Sequence, residues 1–220
     1  MLSGAPLAAA APDPPLAAPD AAPATSALSD DQLMATMAAA AAPARAPSAQ
    51  STNALRTLAQ RHQTAAFRLA WRMTGDHGDA EDLVQEAFAR LWLQAPRWRA
   101  GDTGVRAFLQ RVVTNLCIDR SRRRRPVTMA ELPDRPDDAP GADALLEADE
   151  RSRRIDACVR ALPDRQRASI VLTYWEDMPN AAAAACMDMS VKGFESLLLR
   201  ARTALRHNLA AAGLGLENAQ

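Results

Sequence analysis

Hydrophobic residues recur every three or four positions over several long stretches of this chain, which is the spacing of one helix face. Residues 79–94 carry one continuous apolar stripe, and residues 53–74 and 105–123 carry stripes of the same period. The alternation of β-branched and polar residues that is typical of strands is not found. The pattern therefore predicts an all-α protein.

Four more helices are predicted in the second half of the chain, at residues 143–161, 164–176, 180–186 and 191–208. The last two are one short and one long helix joined by a brief turn, and Ser190 stands where an N-cap belongs. This spacing is typical of a helix-turn-helix. A plain helical hairpin remains the alternative, because the alanines of the short helix define no packed face.

Composition divides the chain into segments. Residues 1–50 are mostly Ala and Pro and are predicted to be a disordered leader, with at most a transient helix at 31–42. Residues 126–142 are acidic and rich in proline, which predicts a linker. The expected organisation is a leader (1–50), a helical domain (51–125), the linker (126–142), a second helical domain (143–212) and a disordered tail (213–220).

Charge is unevenly distributed, although the whole chain carries 26 basic and 26 acidic residues. Residues 51–125 hold 14 basic and 7 acidic residues, and five arginines lie among the six positions 120–125. Guanidinium groups so close together repel one another, whereas phosphates attract them and release counterions. The run predicts contact with nucleic acid; a solvated helix end is the alternative.

The helix predicted at 79–94 has acidic residues in its N-terminal half, where the helix dipole favours negative charge. Asp79 is the expected N-cap. Trp92 and Trp98 flank the basic region, where they are expected to be buried or to stack on exposed bases.

Several classes of function find no support in the residues. Three widely spaced cysteines predict neither a disulfide framework nor a zinc knuckle. His77 lies among acidic residues, but helix capping explains these acids, and no metal site or other cofactor is predicted. No nucleophile or phosphate-loop motif is present, so an enzyme is not expected. No apolar run is long enough to span a membrane, no early basic residues mark a targeting signal, and a cytoplasmic protein is expected.

Two blocks of the sequence resemble bacterial sigma-70-type sigma factors, most closely the compact extracytoplasmic-function (ECF) group. FRLAWRMTGDHGDAEDLVQEAFARLW (67–92) and RAFLQRVVTNLCIDRSRRRR (106–125) resemble region 2, and residues 162–206 resemble region 4. The resemblance implies two small helical domains and a promoter-specificity subunit of RNA polymerase without catalysis of its own. It also implies RNA polymerase core (its β′ and β subunits) and promoter DNA as partners, and an anti-sigma factor as a further possible one.

The resemblance also implies three sets of site residues. Those docking on the β′ coiled-coil would be Asp79, Glu81, Asp82, Leu83, Gln85, Glu86, Phe88, Leu91 and Trp92. Those holding the minus-10 element would be the base readers Asn115, Asp119 and Arg120 with the phosphate contacts Arg111, Arg122, Arg123, Arg124 and Arg125. Those at the minus-35 element would be Ser190, Lys192, Glu195, Ser196, Arg200 and Arg202.

The chain departs from the family pattern in three places. Five alanines (181–185) occupy the first helix of the helix-turn-helix, Gly193 lies inside the second, and the long Ala/Pro leader is extra. Two other functions stay open: a sigma-like decoy that binds an anti-sigma factor, and a stand-alone helix-turn-helix repressor. The basic run counts against the decoy, and the acidic block at 79–86 is unexplained by the repressor.

Overall fold

The computed structural model describes residues 27–40, 48–101, 104–124 and 143–214, without the side chains of residues 40, 124 and 143–149. These ranges contain helices and no strand, which confirms the all-α prediction. The helices are α1 (Asp30–Ala40), α2 (Ala49–Thr74), α3 (His77–Gln94), a short 3-10 helix (Ala95–Arg97), α4 (Gly104–Arg124), α5 (Asp143–Arg160), α6 (Asp164–Tyr174), α7 (Asn180–Cys186) and α8 (Val191–Ala211). The predicted linker at 126–142, most of the leader and residues 215–220 lie outside the described ranges.

The first domain is built from α1 to α4, which pack around one apolar core. Leu58 and Leu69 of α2, Leu91 of α3 and Val113 of α4 are completely inaccessible to solvent. Gly75 ends α2 with a φ of +71°, a left-handed conformation that glycine adopts without a steric penalty. The turn at Gly75 lets α3 fold back along α2.

The N-terminus of α3 differs from the prediction by one turn. Asp76, and not Asp79, is the N-cap, because its carboxylate accepts the backbone N–H of Asp79 at 2.8 Å. Asp79 lies inside the first turn, is 7% exposed and faces α4. Two aspartates three residues apart both suit a cap by sequence, and the hydrogen bond of Asp76 together with the burial of Asp79 distinguishes them.

Helix α1 is the main departure from the expected disordered leader. Leu33, Met34 and Met37 are at most 1% exposed and belong to the core of the first domain. Asp31 accepts the indole N–H of Trp98 at 2.9 Å. Good helix formers alone predicted only a transient helix, and burial of these three side chains supplies the missing stabilisation.

We expect Met34→Ala to lower the free energy of unfolding of the first domain by about 2–5 kcal/mol, since it leaves a cavity in the core. Urea denaturation followed by tryptophan fluorescence measures the change. Ala39→Ser, on the exposed face of the same helix, is the control and should leave stability unchanged. Equal stability of the Met34 variant and the native chain would show that α1 is not part of the core.

The second domain packs α5, α6 and α7 on α8. Phe194 of α8 is completely buried, together with Ile170 and Leu172 of α6. Ser190 caps α8 as predicted, accepting the N–H of Gly193 at 3.1 Å. Among the five alanines of α7, Ala183 and Ala184 are buried, so these small residues do supply a packed face. They permit α7 to approach α8 closely, and the predicted helix-turn-helix is present.

Candidate nucleic-acid and partner interfaces

Helix α3 presents an acidic and polar face to solvent. Glu81, Asp82, Gln85 and Glu86 are exposed along it, and Glu86 pairs with Arg90 at 2.9 Å. Leu83 and Leu91, predicted to contact the polymerase, are 4% and 0% exposed. The side chains of these two leucines pack in the core and hold α3 in place, and they are not part of its exposed acidic face.

An apolar groove of about 610 Å³ lies between α2 and α3, beside the acidic face. Phe88 and Trp92 are partly buried in it, and Leu93 at its end is 74% exposed. The groove is lined by Leu55, Ala59, Gln63, Val84, Gln85, Phe88, Ala89, Trp92 and Leu93. Apolar surface bordered by carboxylates suits an amphipathic, basic helix of a partner protein.

The C-terminal part of α4 carries the basic run. Arg122 and Arg123 are exposed, whereas the side chains of residues 124 and 125 lie outside the description. Arg122 comes within 3.9 Å of the exposed Asp119. Arg111, about three turns earlier in α4, is also exposed, and its guanidinium lies 5.8 Å from the centre of the Phe108 ring. The described arginines are therefore accessible to phosphates.

Arg120 differs from these arginines because it turns back toward α3. Its Nη2 lies 2.6 Å from Asp79 Oδ1 and 3.4 Å from Asp82 Oδ2. The structure thus joins two residues of the predicted polymerase-binding set to one of the predicted minus-10 set. The sequence pattern does not report this pairing, because the partners are about 40 positions apart in the chain.

The second domain lies on the first and covers part of α4. Glu176 accepts the side-chain N–H of Gln110 at 2.7 Å and lies 3.7 Å from Arg106. Asp188 accepts from the amide of Asn115 at 3.3 Å. Asn115, a predicted base reader, is therefore engaged by a carboxylate of the second domain.

An arginine cluster joins the same two domains around the end of α2. Arg167 of α6 donates to the backbone carbonyl of Met73, and also to that of Leu162 at 3.0 Å. Arg160 lies over Gly75, where any β-carbon would collide with it. Arg72 stacks 5.7 Å from the centre of the Trp175 ring. Guanidiniums at the C-terminal end of α2 complement its helix dipole. These contacts, with those made by Glu176 and Asp188, hold the second domain on the first, and we call this the closed arrangement.

The exposed face of α8 carries most of the residues predicted for the minus-35 element. Lys192, Glu195, Ser196 and Arg200 are exposed. Arg202 is also exposed but packs its guanidinium 5.5 Å from the centre of the Tyr174 ring. Ser190 is occupied as the cap of α8. These four exposed side chains lie in the first ten residues of α8, the second helix of the helix-turn-helix.

Among the described residues, no cluster of three or more His, Cys, Asp or Glu side chains is placed to hold a metal ion. His77 instead packs 4.9 Å from the Phe67 ring centre. All three cysteines are buried and unpaired, and burial raises the pKa of Cys117 to about 12 and that of Cys186 to about 11. None of the helices in the described part of the chain is long and apolar enough to cross a membrane.

Comparison with known protein families finds a match for each of the two helical domains. The Sigma-70 region 2 family matches residues 58–127, and the Sigma-70, region 4 family matches residues 152–205. The first match covers α3 and α4, and the second covers the helix-turn-helix.

Two relatives and one solved structure place the chain more narrowly. The ECF RNA polymerase sigma factor SigE of Mycolicibacterium smegmatis is 32% identical over 157 residues, which are 70% of this chain and 60% of that protein. The RNA polymerase sigma-E factor of Streptomyces coelicolor is 34% identical over 156 residues, 69% of this chain and 84% of that protein. CnrH, solved in complex with the cytosolic domain of CnrY, is 26% identical with a TM-score of 0.58, covering 83% of this chain and 97% of that one. The chain belongs to the sigma-70 family of transcription initiation factors, in its ECF group.

Proposed function

We propose that this protein binds RNA polymerase core and directs promoter-specific initiation by contacting the minus-10 and minus-35 elements, without catalysis of its own. The observation that carries the proposal is the separation of two surfaces on the first domain. The acidic face and apolar groove lie on α3 and α2, whereas the exposed arginines lie at the end of α4. We place its action in the cytoplasm, where polymerase meets DNA.

The acidic face of α3 is the proposed docking surface for the polymerase β′ coiled-coil. Its exposed acids and Gln85 supply polar contacts, and Phe88 and Trp92 supply apolar contact in the groove. Leu83 and Leu91 contribute through the position of α3 alone, because they are buried.

The exposed side of α4 is the proposed minus-10 surface. Arg111 and Arg122–Arg125 are proposed to hold phosphates, with Asn115 and Asp119 contacting an unstacked base. The start of α8 is the proposed minus-35 surface. There Glu195, Ser196 and Arg200 are suited to base edges and Lys192 to phosphate.

The closed arrangement sets a condition on this function. Asp188 of the second domain accepts a hydrogen bond from Asn115, a proposed base contact on α4. Promoter DNA and Asp188 compete for Asn115, so we propose that the domains separate when the promoter binds. A protein partner that favours the closed form, such as an anti-sigma factor, would act as an inhibitor.

Transcription from a purified system tests the proposal. The full chain is mixed with polymerase core on a genomic promoter library, and the transcripts are sequenced. Promoter-specific transcripts that require the chain support the proposal. Binding to an anti-sigma factor without transcripts would support the decoy, and specific DNA binding without core would support the repressor.

Replacing both Arg122 and Arg123 by Ala should weaken promoter binding by the holoenzyme and flatten its salt dependence. Each lost phosphate contact lowers the slope of log K against log salt by about 0.7–0.9. Filter binding at several salt concentrations measures the slope. Arg56→Ala, on the exposed side of α2 and bonded to Asn53, is the control. A slope identical in the double variant and the native protein would contradict the phosphate role.

A further inference from the structure

Arg120 connects the helix proposed to dock on polymerase with the helix proposed to hold the minus-10 element. It lies on α4 two residues before the exposed arginines, and its side chain contacts Asp79 at 2.6 Å and Asp82 at 3.4 Å, both on α3. Its side chain is 29% exposed, while those of Asp79 and Asp82 are 9% and 66% exposed. One guanidinium thus bridges a nearly buried carboxylate and an exposed one.

The contact with Asp79 is the stronger of the two on physical grounds. Asp79 lies in the first turn of α3, where the helix dipole stabilises negative charge, and little water screens the pair. For Arg120 to bond with a base, it would have to leave a nearly buried carboxylate without that charge partner. The contact with Asp82 is longer and solvated, so its exchange for another partner costs less.

We infer that Arg120 is a positioning residue and not a base reader, an inference that rests on the proposed function. It fixes the C-terminal end of α4 against α3, and this sets where Arg122 and Arg123 meet the DNA backbone. Through Asp82 it also shares a carboxylate with the polymerase-docking face. Polymerase that engages Asp82 therefore leaves Arg120 bound to Asp79, with the basic end of α4 still in place.

A base reader and a positioning residue differ in how substitution affects promoter preference. Loss of a base reader changes the ranking of promoters that differ at one minus-10 base pair. Loss of a positioning residue lowers opening of all of them by the same factor, because the phosphate contacts are displaced together. Lysine reaches a carboxylate but lacks the planar fork for bidentate base contact, so it rescues positioning only.

The experiment uses holoenzyme reconstituted with Arg120→Lys, Arg120→Gln, Asp79→Asn and the Arg120→Gln/Asp79→Asn double variant. Opening is measured on a promoter set with single minus-10 substitutions. Arg56→Gln, which removes the same charge from the exposed side of α2, is the control. We expect Arg120→Gln and Asp79→Asn each to reduce opening about tenfold, between the effects of an exposed and a buried ion pair. The double variant should be no worse than either, Arg120→Lys should stay near native, and the ranking of promoters should be unchanged.

A changed ranking in Arg120→Gln, or native activity in Asp79→Asn beside a defective Arg120→Gln, would overturn the inference. Thiol labelling of Cys117, which is buried in α4 one turn before Arg120, gives a readout that needs no transcription. Arg120→Gln should speed labelling of Cys117 and leave that of Cys158 in α5 unchanged. Unchanged labelling of Cys117 also overturns the inference, whereas absence of transcripts with the native chain counts against the proposed function alone.

Discussion

An engineered disulfide between the two domains is expected to abolish promoter-specific transcription, and reduction of the disulfide is expected to restore it. Thr114 of α4 and Cys186 of α7 are both buried, with the hydroxyl oxygen 3.8 Å from the sulfur. Thr114→Cys places a second sulfur near that hydroxyl position, within reach of a bond. The closed form would then be covalent, with Asn115 held beside Asp188 and unavailable to DNA.

Formation of this bond needs an oxidant and alkaline pH, because burial raises the pKa of Cys186 to about 11 and the thiolate is the reactive form. Peptide mapping identifies the bond, and the Thr114→Cys/Cys186→Ala variant is the matched control. The oxidised protein should still bind core, since the acidic face of α3 remains exposed in the closed form. Transcription should fall to background and return with reductant. Full transcription by the oxidised protein would refute the need for the domains to separate.

Replacement of Phe88 by Ala is expected to weaken binding to polymerase core by roughly thirtyfold, the effect of losing a central apolar anchor worth about 2 kcal/mol. Phe88 lines the apolar groove and packs against the core of the first domain. Fluorescence anisotropy with labelled chain and unlabelled core measures the affinity. Once the holoenzyme is saturated, the salt dependence of promoter binding should be native.

Glu86→Arg tests the same face without disturbing the core, because Glu86 is exposed and its side chain bonds to Arg90. We expect it to lower core affinity in the same direction as Phe88→Ala. The Arg122/Arg123 double variant should leave core affinity native. If the Phe88 and Glu86 variants bind core as the native chain does, the docking surface lies elsewhere.

The sequence by itself determined helices α2 to α8 and the position of the basic run. The apolar period of residues 53–74, 79–94 and 105–123 reproduced α2, α3 and α4 closely, because amphipathic helices encode their buried face locally. The basic run at the end of α4 and the cap at Ser190 were also legible, since both depend on neighbours within a few residues.

Only the tertiary structure decided which of these residues face solvent and which face one another. Helix α1 required burial of Leu33, Met34 and Met37 against the other helices, which a local propensity does not report. Arg120 joined Asp79, and Asp188 joined Asn115, across 41 and 73 positions of sequence. Such pairings depend on how the helices pack against one another, and the spacing of residues along the chain does not determine that packing.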